Sequence, residues 1–115
     1  MPALVTLDDR IAARYRCESR ILIRFCRGKQ KLATQGWARD LSESGLGAFV
    51  AENLLLGELV TLEITLGNFG KQAIAGKVTR KVGTQYGFQF TALSAEQRLG
   101  IQAVSKGRER FQPGT

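Results

Sequence analysis

The sequence contains no histidine, which removes imidazole acid–base catalysis and histidine-ligated metal sites at once. Cysteine is nearly as scarce: Cys17 and Cys26 lie far from CxxC spacing, so a pair of reduced core thiols in a cytoplasmic chain is expected rather than a redox or metal motif. No apolar run approaches the roughly eighteen residues a membrane helix needs. The N-terminus MPALVTLDDR has neither a basic leader nor a small-residue cleavage pattern, and the chain is expected to be soluble, unexported and cytoplasmic. Acidic residues are in deficit, 10 against 17 Lys and Arg, leaving a net charge of +7. Such a balance suits an anionic partner, phosphate above all.

What is present is 115 residues with 43% apolar composition, enough for one domain around one modest core. Strand signals recur along it. Ile21, Ile23 and Phe25 alternate in RILIRFCR ahead of a short Gly28-Lys29-Gln30 hairpin loop. KLATQGWARD and LGAFVA read as two more strands. In ELVTLEITL, Val60, Leu62, Ile64 and Leu66 alternate with Thr61, Glu63 and Thr65, which gives one buried and one solvated face. After a Gly67-to-Gly70 turn, QAIAGKVTRKV continues in extended style, and QYGFQF follows Gly83-Thr84 with Tyr86, Phe88 and Phe90 on one face. Six strands at near-regular spacing predict a mainly β chain, a six-stranded antiparallel β-barrel.

The period then changes. Ser94-Ala95-Glu96-Gln97 is a capping box, which predicts a C-terminal α-helix with Leu99, Ile101 and Val104 as its apolar stripe. The expected organisation is a flexible N-terminal segment over 1–19, a barrel over 20–91, and a helix with a basic tail over 94–110. Trp37 and Phe49 are expected in the core. There is no internal repeat and no low-complexity segment.

Between two apolar strands stands RDLSESGLG, residues 39–47. As a plain turn, it would have Asp40 and Ser42 bonding local amides and Gly45 at a positive φ. As half of a site it needs a partner, and RIAAR offers one, with Arg10 and Arg14 just ahead of the first strand. The planar guanidinium fork bonds bidentately to phosphate oxygens or to the O6/N7 edge of guanine, and it stacks on bases. Asp40 supplies the complement, an acceptor for guanine's N1 and N2 donors. Ser42 could add a hydroxyl contact, and Gly45 a close approach free of a Cβ.

Arg10-Ile-Ala-Ala-Arg14 followed by Asp40-Leu-Ser42-Glu-Ser-Gly45 resembles the RxxxR and [D/N]xSxxG pair of the PilZ domain family. The resemblance extends over nearly the whole chain, including the alternating strands, QYGFQF and the terminal helix. It implies a receptor for the bacterial second messenger cyclic di-GMP rather than an enzyme, with no cofactor or metal. The ligand would be held by Arg10, Arg14, Asp40, Ser42 and Gly45. Its presence would be relayed to an effector protein as the N-terminal segment becomes ordered around it.

Arg16-Cys-Glu-Ser-Arg20 is a second RxxxR match, but Arg16, Arg20 and Arg24 share a period-two face that a solvated strand explains. Asp9, Arg16 and Arg39 are further candidate contacts. Asp9 stands where members that bind a stacked ligand pair often have a basic residue, so one ligand per chain is expected. Two other readings stay open: a small nucleic-acid-binding barrel, which asks for exposed aromatics within strands, and a PilZ-like protein-interaction module that does not bind the nucleotide. Asp40 and Glu43, with no histidine or nucleophile beside them, make a poor catalytic pair.

Overall fold

A computed structural model describes residues 15–105. Arg10, Arg14, Asp9 and the basic tail lie outside the described residues. Six strands, β1 (Tyr15–Arg27), β2 (Gln30–Leu41), β3 (Gly45–Val50), β4 (Leu59–Thr65), β5 (Lys71–Val82) and β6 (Gln85–Phe90), precede one helix, α1 (Ala95–Ser105). They close into a barrel in the order β1-β2-β3-β6-β5-β4, antiparallel at every seam. β1 starts at Tyr15, ahead of the expected start at Arg20, so Arg16 belongs to the barrel wall. No helix among the described residues is long and apolar enough to cross a membrane.

The alternation seen in the sequence fills the lumen. Ile21, Ile23 and Phe25 of β1, Val60, Leu62 and Ile64 of β4, and Tyr86 and Phe88 of β6 are all buried, and Leu66 continues the β4 stripe. Each such side chain contributes roughly 1.5–3 kcal/mol by leaving water. The Tyr86 hydroxyl finds partners despite its burial, donating to the Glu52 carbonyl at 3.0 Å and accepting from the Leu54 amide at 3.1 Å. Those two bonds pin the long β3–β4 connection to the barrel wall.

The same alternation overturns three placements. Ala38 is 1% exposed on the inner face, so its neighbour Trp37 must point outward, and the indole is 42% exposed. Phe49 lies between buried Ala48 and Val50 and is likewise exposed. Cys26, next to buried Phe25, is exposed, while Cys17 is half-buried against the core. A closed lumen admits one face of each strand whatever the size of the residues on the other.

The helix begins as its capping box predicts: Gln97 N donates to Ser94 Oγ, and Ser94 N to Gln97 Oε1, both at 3.0 Å. α1 packs on a 3₁₀ turn, Gly67–Phe69, at one end of the barrel. Gly100 allows the approach, since a Cβ there would come within 3.1–3.3 Å of Leu66 and Phe69. The buried face is therefore Gly100, Ile101 and Ser105 with Val104 beside it, and Leu99, expected in the stripe, turns outward.

Candidate functional site

The DxSxxG segment links β2 to β3. Ser42 N donates to the Gly45 carbonyl at 2.9 Å, and the Ser42 hydroxyl accepts from the amides of Ser44 at 3.1 Å and Gly45 at 3.3 Å. Ser42 is 1% exposed, so its hydroxyl builds the turn from within. Gly45 does not take a positive φ. It is needed because a Cβ would overlap the carbonyl oxygen of Phe88 on β6. The glycine thus permits close packing of two strands.

Around this turn the strand registers slip. β1 against β2 shifts between Arg16 and Ser19, β2 against β3 between Ala38 and Asp40, and β5 against β6 between Val78 and Arg80. Such irregularities re-aim side chains. Their result is a lateral row on the outer wall: Arg16 pairs with Asp40, Asp40 with Gly47, Gly47 with Gly87, and Gly87 with Arg80. At about 4.8 Å per strand spacing, Asp40 and Arg80 stand roughly 14 Å apart at the backbone.

Between them stand two glycines, and side chains from the two ends of the row take the space that a Cβ would fill. Gly47 is overlain by the carboxylate of Asp40, whose Oδ2 lies 2.5 Å from where a Cβ would sit. The aliphatic stem of Arg80 covers Gly87, its Cβ being 3.0 Å from the equivalent point. Asp40 is only 5% exposed. Chemically, the row offers an acceptor carboxylate, a saddle to which neither glycine adds a side chain of its own, and an arginine at either end.

Other parts of the motif are tied down. Arg39 places its guanidinium over the Phe49 ring at 4.9 Å, a cation–π contact that holds the side chain on the outer wall. Glu43 accepts from Arg98 Nη1 at 2.9 Å and from Gln102 Nε2 at 3.0 Å, which fastens the motif loop to α1. The Gln102 and Arg98 hydrogen bonds hold the Glu43 carboxyl below its ordinary pKa, against a smaller opposing effect of burial.

Of the residues expected from sequence, the structure brings together Asp40, Ser42 and Gly45 and sets both Arg16 and Arg39 beside them. Arg10, Arg14 and Asp9 lie outside the described residues. Arg16 is half-buried opposite Asp40, unlike exposed Arg20 and Arg24, so a solvated face does not account for it. Sequence reasoning passed over Arg80 and the Gly47–Gly87 pair. The parity of Leu46, Ala48 and Val50 already turns Gly47 outward, but nothing local pairs Gly47 with Gly87 or Gly87 with Arg80.

A closed six-stranded antiparallel barrel with one helix packed at its end, carrying a carboxylate and arginines on its outer wall, defines a small single-barrel module. Its sequence matches the PilZ domain model over residues 8–106, and the chain belongs to the PilZ domain family. Among solved structures it is similar to the PilZ domain of YcgR from Escherichia coli with c-di-GMP, at 17% identity and a TM-score of 0.63, covering 83% of this chain and 87% of that one. The PilZ domain of CeSA from a cellulose-synthesizing bacterium gives 16% identity and a TM-score of 0.62, covering 82% and 95%. The Bacillus subtilis inhibitor of motility MotI/DgrA gives 15% identity and a TM-score of 0.62, covering 87% of this chain but 50% of that one. At these identities the likeness is one of fold. No curated protein matches the sequence.

Proposed function

We propose that this chain is a cyclic di-GMP receptor domain and not an enzyme. The observation that carries the reading is the buried carboxylate of Asp40 laid over Gly47, with Gly87 and Arg80 beyond it and Arg16 behind. A guanine lying along the saddle would present its N1 and N2 donors to Asp40, while Arg80, and Arg10 and Arg14 from the N-terminal segment, meet phosphate or the O6/N7 edge. Gly45 and Ser42 serve by holding the turn that fixes Asp40. The c-di-GMP present with the YcgR domain supports this choice of ligand.

The relay follows from the position of Arg10 and Arg14 just before β1. Ligand binding would draw their segment onto the barrel and present a composite surface of ligand and chain to an effector protein. A second reading also has an observation behind it: the exposed strand aromatics Trp37 and Phe49 are what a single-stranded nucleic-acid barrel would require.

Calorimetric titration of the full chain with cyclic di-GMP, with GTP and RNA as controls, tests the choice. Saturable binding of the cyclic dinucleotide, weakened in Asp40→Ala while simple anions such as sulfate bind no worse, is the expected result, because the substitution deletes the guanine acceptor and one repulsive charge together. Undiminished binding to Asp40→Ala would leave Asp40 a turn residue only.

A further inference from the structure

Next to the glycine row runs a second lateral row on the same outer wall: Arg20 pairs with Trp37, Trp37 with Phe49, and Phe49 with Gln85. It stands three residues from Asp40 along β2, about 10 Å at strand rise. Two flat groups face outward here. One is the indole of Trp37; the other is the guanidinium of Arg39, which lies over the Phe49 ring at 4.9 Å. The indole N–H is already used, donating to Glu18 Oε1 at 3.3 Å, so what Trp37 offers is its ring face. Arg20 at one edge and Arg39 at the other outnumber the Glu18 carboxylate and leave the row with the net sign that suits a phosphate.

We infer that Trp37, with Arg39 beside it, is the stacking platform for the second base of the cyclic dinucleotide. The inference rests on the receptor reading above and extends it: one guanine is read along its hydrogen-bonding edge at Asp40, and the other is held by its face at Trp37. The two contacts differ in kind. Edge reading selects guanine, whereas stacking accepts any base because every base has a π-face. The chain therefore demands guanine at one end of the ligand and tolerates another purine at the other. The charged rims and the continuity of this row with the Asp40 saddle favour a nucleotide occupant over an apolar protein segment.

Trp37 is the single tryptophan of the chain, so its intrinsic emission reports on this contact directly. Titrating the full chain with cyclic di-GMP should quench that emission along the same isotherm that calorimetry gives. Trp37→Ala should weaken cyclic di-GMP about ten- to a hundredfold, the worth of one stacked base, and Trp37→Phe should recover most of the loss. GMP, with one base, should bind parent and Trp37→Ala alike, and a mixed cyclic GMP–AMP should bind nearly as well as cyclic di-GMP. Cyclic di-GMP binding with unchanged emission and equal affinity for Trp37→Ala would overturn the stacking role and leave the receptor reading standing. Equal losses of GMP and cyclic di-GMP in the variant would overturn it as well, by making Trp37 a support of the Asp40 site. No cyclic di-GMP binding by the parent would remove both, and quenching by single-stranded RNA in its place would assign the row to nucleic acid.

Discussion

The two sides of this barrel are built differently. On the β4 side the ladder is regular: β4 pairs with β1 and with β5 without a register shift, its inward residues are aliphatic, and its edges carry the ion pairs Arg24–Glu63 at 2.6 Å and Arg27–Glu58 at 3.1 Å. On the β2–β3–β6 side three of the seams slip, two glycines face outward, and an acid is buried in the wall. Regularity gives stability, because each residue finds its ladder partner and its place in the core. Irregularity gives a site, because the slips bring polar groups from distant strands into one row at the expense of ladder pairing.

Substitutions on the two sides should therefore fail in different ways. The largest effect belongs to the regular side: Leu62 is fully buried, and Leu62→Ala should lose about 2–5 kcal/mol of stability through lost burial and a residual cavity. Urea unfolding measures this, and the ligand affinity of the folded fraction should not change. A large affinity loss in that variant would show that the two sides are not separable.

Next come the arginines ahead of β1. Arg10→Ala and Arg14→Ala should each cost about 1.5–3 kcal/mol of cyclic di-GMP binding, on the order of ten- to a hundredfold by calorimetry, with thermal stability nearly unchanged. Arg16→Ala should cost clearly less. Its position opposite Asp40 makes this the sharper comparison, since equal losses for Arg10 and Arg16 would move the working pair into the barrel wall.

Gly47→Ala probes the saddle itself. Its new Cβ would fall on the Asp40 carboxylate and displace it, so guanine-ligand binding should drop by about 1–3 kcal/mol, the scale of a lost charge-assisted contact. The same substitution at Gly28, where a Cβ meets nothing but φ is +63°, should cost stability and leave binding alone.

The smallest effect is one of pH. The Glu43 carboxyl lies below its ordinary pKa through Gln102 and Arg98, and that of Glu58 through Arg27. A depressed folded-state value means stabilisation that is present above the ordinary value of 4.5 and lost as pH falls through the folded one. Glu43 and its partner Arg98 are solvated, and Glu58, although largely covered, is paired with a partly exposed Arg27 at the surface, so the loss is modest. Denaturation midpoints at neutral pH and near pH 3 should differ less in Glu43→Gln than in the parent. A motif-side tether and a scaffold-side ion pair then contribute to acid sensitivity alike.

Much of the scaffold was legible because its signals are local. The alternation of Val60, Leu62 and Ile64 requires only the two-residue period of a strand, and the Ser94–Gln97 box only the geometry of a first helical turn. Trp37 and Phe49 stand outside although their size suggests the core, because the parity of buried Ala38, Ala48 and Val50 decides the face. Leu99 turns outward for a tertiary reason: Gly100 lets α1 approach Leu66 and Phe69, and that contact chooses the buried face.

By itself the sequence determined the strand count, the inward faces of β1, β4 and β6, the capped helix and the identity of the DxSxxG turn, since each follows from spacing along one stretch of chain. Only the tertiary structure decided that β3 lies beside β6, so that Gly45 must admit the Phe88 carbonyl and Gly47 meets Gly87. It also decided that the slipped seams bring Arg16 and Arg80 into one row with Asp40. The physical reason is that a strand's period fixes which way its side chains point but not which residue of another strand stands opposite. That register is settled by closing the barrel around a packed lumen.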